Sequence, residues 1–192
     1  MSRFSKSIEF YRKTFKKRLR DNKDQPLKPY IAKLVAGDSV KIADIGSGPV
    51  STIGNTLPGV KVEVHPSDVC AEEYAHIWYA YGEEAIAPVV FQDMEHMTYK
   101  DEVFDIVHCE NALDHTEDAR AALSEMERIC KRGGWIVLKH APNQRERYGG
   151  HHSWDIYLDG GKTVIRNPYE QIVLPHPSEE REGFIYTVWQ KT

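Results

Sequence analysis

One carboxylate, Asp44, stands two residues ahead of a glycine turn, Gly46-Ser47-Gly48, at the end of the apolar run Val40–Ile45. Glycines in such a turn let a ligand approach the backbone closely. Gly46-x-Gly48-x-x-Ser51 nearly matches the dinucleotide fingerprint GxGxxG, a pattern that carries little weight alone. The acid points elsewhere, because it repels a pyrophosphate and suits a ligand that carries an ammonium group. Polar residues also follow four later apolar runs: His65-Pro66-Ser67-Asp68, Gln92-Asp93-Met94-Glu95, Glu110-Asn111 and His140. The densest aromatic and polar stretch is Tyr148-Gly149-Gly150-His151-His152-Ser153-Trp154-Asp155. Histidine exchanges protons near neutral pH, so His115, His140 and His152 are candidate general bases. Tyr148, His151 and Trp154 are candidate substrate contacts.

The elements that must position these residues alternate. Strands are expected over Val40–Ile45, Val60–Val64, Pro88–Phe91, Val103–Cys109 and Trp135–Lys139. A helix with a mixed face fits Cys70–Tyr81. A second helix begins at Thr116 as its cap, places Ala119, Ala122, Leu123, Met126, Ile129 and Cys130 on one face, and ends at Gly133. Strand alternating with helix predicts a parallel sheet of βα units. Ligands of such a sheet bind at the carboxyl ends of its strands, where all five polar groups fall. After His140 the chain turns to Gly, Pro and His, with short alternating pieces at Trp154–Leu158 and Thr163–Arg166 and a clear strand at Phe184–Trp189.

Four segments in order resemble one family. Val40–Gly48 is similar to the first motif of the Rossmann-like (class I) S-adenosylmethionine-dependent methyltransferases. Phe91–Glu95 resembles their adenine-contacting stretch. Phe104–His115 resembles their fourth strand and its loop, and Glu125–Gly134 the helix and turn before strand five. The resemblance implies an α/β fold: a doubly wound seven-stranded sheet, mostly parallel with an antiparallel last strand, and helices on both faces. It implies S-adenosylmethionine as cofactor, met by Asp44, Gly46, Ser47, Gly48, Asp93, Met94, Glu110 and Asn111. The family ends strand two with an acid that binds both ribose hydroxyls. Counting places His65 there, with Asp68 three residues on as the other candidate. Methyl transfer to a small molecule, sugar or lipid head group follows as the expected activity. A nicotinamide-dependent oxidoreductase is disfavoured by Asp44 and by Ser51 in place of a third glycine. A non-catalytic module that binds S-adenosylmethionine is the other alternative, suggested by the altered ribose position.

Composition sets the remaining bounds. The 192 residues fit one domain, divided as an N-terminal helical lid (1–36), a cofactor core (37–140) and an acceptor-side segment (141–192). No run is long and apolar enough for a membrane span, and the charged N-terminus has no signal core, so a cytoplasmic protein is expected. Three cysteines without a CxxC pair disfavour a disulfide framework or a cysteine zinc site. His140, His151, His152 and Asp155 match no metal-ligand spacing, so no metal is expected. Residues 1–20 carry +7 and the remainder −11, which disfavours nucleic acid as a partner of the main body. Phe4, Ile8, Tyr11, Phe15 and Leu19 recur at helical spacing between those basic residues. This helix is expected as a lid over the cofactor cleft, with weak contact to an anionic surface as the other reading.

Overall fold

In the computed structural model, which describes residues 4–149 and 151–192, the apolar runs pair into one nine-stranded sheet. β1 (Ser39–Ile45), β2 (Lys61–Asp68), β3 (Val90–Phe91), β4 (Phe104–Glu110) and β5 (Cys130–His140) run parallel in the order β3-β2-β1-β4-β5. β9 (Phe184–Gln190) pairs antiparallel with β5. Beyond it β8 (Gln171–Arg181), β7 (Lys162–Arg166) and β6 (Asp155–Asp159) form an antiparallel meander. The expected seven strands are therefore nine. Two-residue turns build the addition: Gly160-Gly161 and Glu182-Gly183 all have positive φ, as type I′ hairpins require.

Each face of the sheet has its own cover. In β1 the side chains of Val40 and Ile42 pack with Tyr30 and Ile31 of α2 (Pro29–Ala32). Ala43 and Ile45 point to the opposite face, into a cluster with Met126 and Ile129 of α4 (Ala119–Ile129). Ile156, Ile165 and Ile172 of the meander join that same cluster, so strands share the work of covering the α4 side. α1 (Ser5–Arg18) and α3 (Ala71–Tyr81) pack on each other through Phe15 and Trp78, whose rings meet edge to face at 4.8 Å. Among the described residues no helix is long and apolar enough to cross a membrane.

Three local boundaries differ from the sequence reading. β2 runs on through His65 and Pro66 to Asp68, four residues past Val64. Pro66 is tolerated there although β1 and β3 flank the strand. α4 stops at Ile129, and Cys130–Gly134 already belong to β5. The α4 cap is Asp118, whose carboxylate accepts from the Arg120 and Ala121 amides, while the Thr116 hydroxyl donates to the Leu113 carbonyl. The alternation is also incomplete, because no helix follows β1. Residues 46–60 instead form an irregular loop, tied down by Trp78 Nε1 donating to the Pro49 carbonyl and by the Lys28 amide donating to the Ile53 carbonyl.

Candidate active site

Strand order reverses between β1 and β4, and the crevice at their carboxyl ends holds two adjoining cavities of about 330 and 590 Å³. Ser7, Tyr11, Gly46, Asn111 and His115 line both. α1 therefore borders the crevice through Ser7 and Tyr11. Its Tyr11 sits against Gly48, where an added Cβ would lie 2.6 Å from the hydroxyl oxygen. Gly46 is equally constrained: φ is +68°, and a Cβ there would lie 2.2 Å from the Ala112 Cβ.

Asp68, at the end of β2, lines the smaller cavity. Its Oδ2 accepts from the Gly48 amide at 3.0 Å and its Oδ1 from the Cys70 amide at 2.9 Å. These bonds tie the glycine turn to the neighbouring strand. A carboxylate has about four lone-pair sites, and the two amides and the Tyr74 hydroxyl engage three of them, so one remains for a ligand. Burial pushes the Asp68 carboxyl upward, against the pull of the two amides. His65 is elsewhere. Its Nε2 meets Glu63 at 2.8 Å and its ring stacks edgewise on Phe104, and it borders neither cavity. Two facts account for this: β2 is longer than the apolar run suggested, and His65 lies three residues short of its end. Asp93 and Met94 line the smaller cavity, and Asp93 also accepts from the Glu95 amide.

Asp44, Ser47 and Glu110 line the larger cavity. Asp44 is buried and doubly bonded: Ser51 Oγ donates to its Oδ2 at 2.6 Å, and His108 Nδ1 lies 2.8 Å from its Oδ1. Tyr30, whose hydroxyl burial keeps protonated, lies 3.3 Å from the other nitrogen of His108. Glu110 is paired with Lys139 at 2.7 Å. Asn111 has φ +50° and accepts from the Ala141 amide, which joins the end of β4 to the end of β5. Sequence reasoning missed His108. The available signal was one polar residue inside the run Ile106-Val107-His108-Cys109, on a strand whose register places it beside Asp44.

At the far wall of the larger cavity stand Tyr148, His151, His152 and His115. His115 comes from the turn after β4, Tyr148 from the end of α5 (Gln144–Tyr148), and His151 and His152 from the segment after it. Asp114, also missed in the sequence, organises them. Its Oδ2 lies 2.6 Å from His152 Nδ1, while the Ser153 and Trp154 amides donate to its carbonyl. Burial pushes the Asp114 carboxyl up, but the His152 bond and the nearby His115 and His140 rings outweigh it, so the net shift is downward. Burial, assisted by neighbouring imidazoles, holds His151 down to about 4.

Two more sequence candidates, besides His65, lie outside the crevice. Trp154 is 1% exposed, packs in the core beside α4 and donates its Nε1 hydrogen to the Thr116 carbonyl. It braces the loop and does not face an acceptor. His140 is likewise buried, borders neither cavity, and is held near 4 by desolvation.

A family profile described as a methyltransferase domain matches residues 43–138, half of the chain. The chain belongs to this family of methyltransferases. An uncharacterized methyltransferase of Schizosaccharomyces pombe is 33% identical over 110 residues, which are 53% of this chain and 40% of the relative. The chain thus spans less than half the length of that relative. A SAM-dependent methyltransferase of Thermotoga maritima matches over 99% of both chains, with a TM-score of 0.55 at 17% identity. One from Methanosarcina mazei matches over 87% of this chain and 99% of its own, with a TM-score of 0.52 at 14% identity. At those identities the solved structures show the fold alone.

Proposed function

We propose that this chain transfers the methyl group of S-adenosylmethionine to a small-molecule acceptor held in the larger cavity. The observation that carries the reading is the junction of the two cavities at Gly46, Asn111 and His115, with Asp68 and Asp93 in the smaller one and Asp44, Glu110 and the histidines in the larger. The adenosine part fits the smaller cavity, with Asp68 on the ribose hydroxyls and Asp93 and Met94 beside the adenine. The methionine part runs along the Gly46–Gly48 turn toward Asp44, whose carboxylate favours its ammonium group. Glu110 and Asn111 border that end.

A sulfonium methyl leaves its sulfur by in-line displacement, and the thioether departs neutral without needing an acid. The protein must hold acceptor and methyl in line and exclude water. α1 closes over both cavities and supplies the exclusion. His152 is the proposed base. Asp114 holds its Nδ1, which leaves Nε2 for the proton of the acceptor. His115 and His151 orient the acceptor, Tyr148 offers a flat contact, and Lys6 and Arg18 on the same cavity favour an acceptor with negative charge.

The experiment is a screen of hydroxy, thiol and amine metabolites with methyl-labelled cofactor, followed by kinetics of the best acceptor. His152→Ala should lower kcat by about 10²-fold or more and leave cofactor affinity unchanged. Full activity in that variant would refute the base. Failure of the parent chain to bind S-adenosylmethionine would refute the function.

A further inference from the structure

We propose that His115, His151 and His152 form a binding site for a zinc-type divalent cation on the wall of the larger cavity. The spacing of these residues in the chain gives no hint of it, because the ligands come from two loops 36 residues apart that only the fold brings together. One ligand-capable nitrogen from each ring lies within 4.8 Å of the other two. Ring centroids are 4.4–4.7 Å apart, and the His115 and His151 rings are nearly parallel. Three imidazoles packed this closely repel one another if protonated, and the neutral ring is the form that binds a metal. Tetrahedral zinc with bonds near 2.0–2.1 Å requires nitrogens roughly 3.3 Å apart, so side-chain rotation must close the cluster by about 1.5 Å.

Three further features point to a ligand. Asp114, 2% exposed, lies 2.6 Å from His152 Nδ1. A carboxylate behind a histidine fixes its tautomer, directs Nε2 outward and strengthens it as a ligand. His115 Nδ1 lies 3.2 Å from the His151 carbonyl oxygen, which leaves its Nε2, 3.9 Å from Asp114 Oδ1, as the ligand atom. His151 Nδ1 and Asp114 Oδ1 are both buried without a hydrogen-bond partner. Native interiors seldom leave such atoms unmatched. A cation held by the three rings would satisfy the first directly and balance the charge of the second. Three nitrogen ligands favour zinc and its neighbours over magnesium or calcium. They also leave a coordination position for an acceptor atom. The site shares the acceptor cavity, so it rests on the reading above. With a cation bound, His152 serves as a ligand, and the charge of the cation takes over the task of acidifying a coordinated hydroxyl or thiol.

The test uses the full chain, stripped with chelator and titrated with Zn²⁺ by calorimetry, with Co²⁺ absorption as a second probe of tetrahedral nitrogen ligation. One Zn²⁺ per chain is expected. His151→Gln and His152→Gln should each weaken it by more than 10-fold, and Asp114→Asn by about 10- to 100-fold. His65→Ala, far from the cavity, should change nothing. Equal Zn²⁺ affinity in parent and His151→Gln, or far less than one ion per chain, would overturn the site. S-adenosylmethionine titrated into the same preparations checks the fold of each variant. A parent that binds the cofactor but not Zn²⁺ overturns the cation site and leaves the methyltransferase reading intact. One that binds Zn²⁺ at these residues but not the cofactor does the reverse.

Discussion

Replacing Asp68 with Asn separates the two candidates for the ribose contact. The parent carboxylate accepts from the Gly48 and Cys70 amides through different oxygens, has the Tyr74 hydroxyl as a third partner, and retains about one lone-pair site for the ribose of the proposed cofactor. An amide side chain has one oxygen. Its NH₂ must then face one of those backbone N–H groups, which is left buried without a partner. That costs the apo fold about 1–3 kcal/mol. For a chain of this length the melting midpoint should fall by roughly 2–4 °C per kcal/mol. The cofactor loses one charge-assisted bond as well, about 1.5–3 kcal/mol, or roughly 10- to 100-fold in Kd. His65→Ala should leave Kd within about threefold, because that ring is engaged with Glu63 and Phe104 outside the cavity. Calorimetric titration of S-adenosylmethionine into both variants, each checked by thermal unfolding, decides the matter. A folded Asp68→Asn chain with parental affinity, or a large loss in His65→Ala, would refute the assignment.

Three further outcomes follow from the same geometry. Gly46→Ala must place a Cβ against Ala112 at a positive φ, so urea unfolding should show a loss of about 2–4 kcal/mol; a change under about 0.5 would mean that the turn relaxes freely. Tyr11→Ala removes the aromatic contacts of the lid with the glycine turn and with Tyr74, and should raise the cofactor Kd about two- to tenfold and lower the melting midpoint; an unchanged Kd in the folded variant would refute the lid. His140 carries a pH signature. It is held near 4 in the fold against 6.5 in the open chain, so the unfolded state takes up its proton first and stability falls as pH drops from 6.5 to about 4. The full loss is about 3 kcal/mol. His140→Leu should remove that loss, and parallel melting curves for parent and variant between pH 7 and 4 would refute it.

The parallel half of the sheet was legible because its strands are short apolar runs closed by polar clusters, and neither β1 nor β4 admits another reading. β8 was not legible. Pro175 and Pro177 interrupt its pattern, yet they sit where the strand leaves β7 for β9 and the ladder with β7 is irregular, the place where a missing amide costs least. The end of β2 was misjudged for a related reason: alternation stops at Val64, and Pro66 looks like a terminator. The proposed cofactor acids and glycines could be picked out because adjacent residues carry that chemistry. His108 and Asp114 were not, because each acquires its meaning only from a partner on another element, Asp44 at 2.8 Å and His152 at 2.6 Å.

Those two hidden partners answer one physical problem. The crevice buries carboxylates at the ends of β1 and β4, and a buried charge without bonded partners is costly. Asp44 is met by Ser51 and His108, and Asp114 by His152. Each acid therefore has bonded partners beside a cavity, and each fixes an imidazole in one orientation. The Asp44 pair lies at the core of the strand reversal, where it holds β1 to β4 under the methionine end of the proposed cofactor. The Asp114 pair lies one turn outward, where it holds the loop after β4 to the loop after α5. Replacing Asp114 should therefore loosen the acceptor wall and spare the cofactor side, whereas replacing His108 should do the opposite. Measuring the cofactor Kd and the acceptor KM in both variants tests that division. Equal effects of both substitutions on both constants would show the crevice to be a single coupled unit, and the two-cavity reading of transfer would fail.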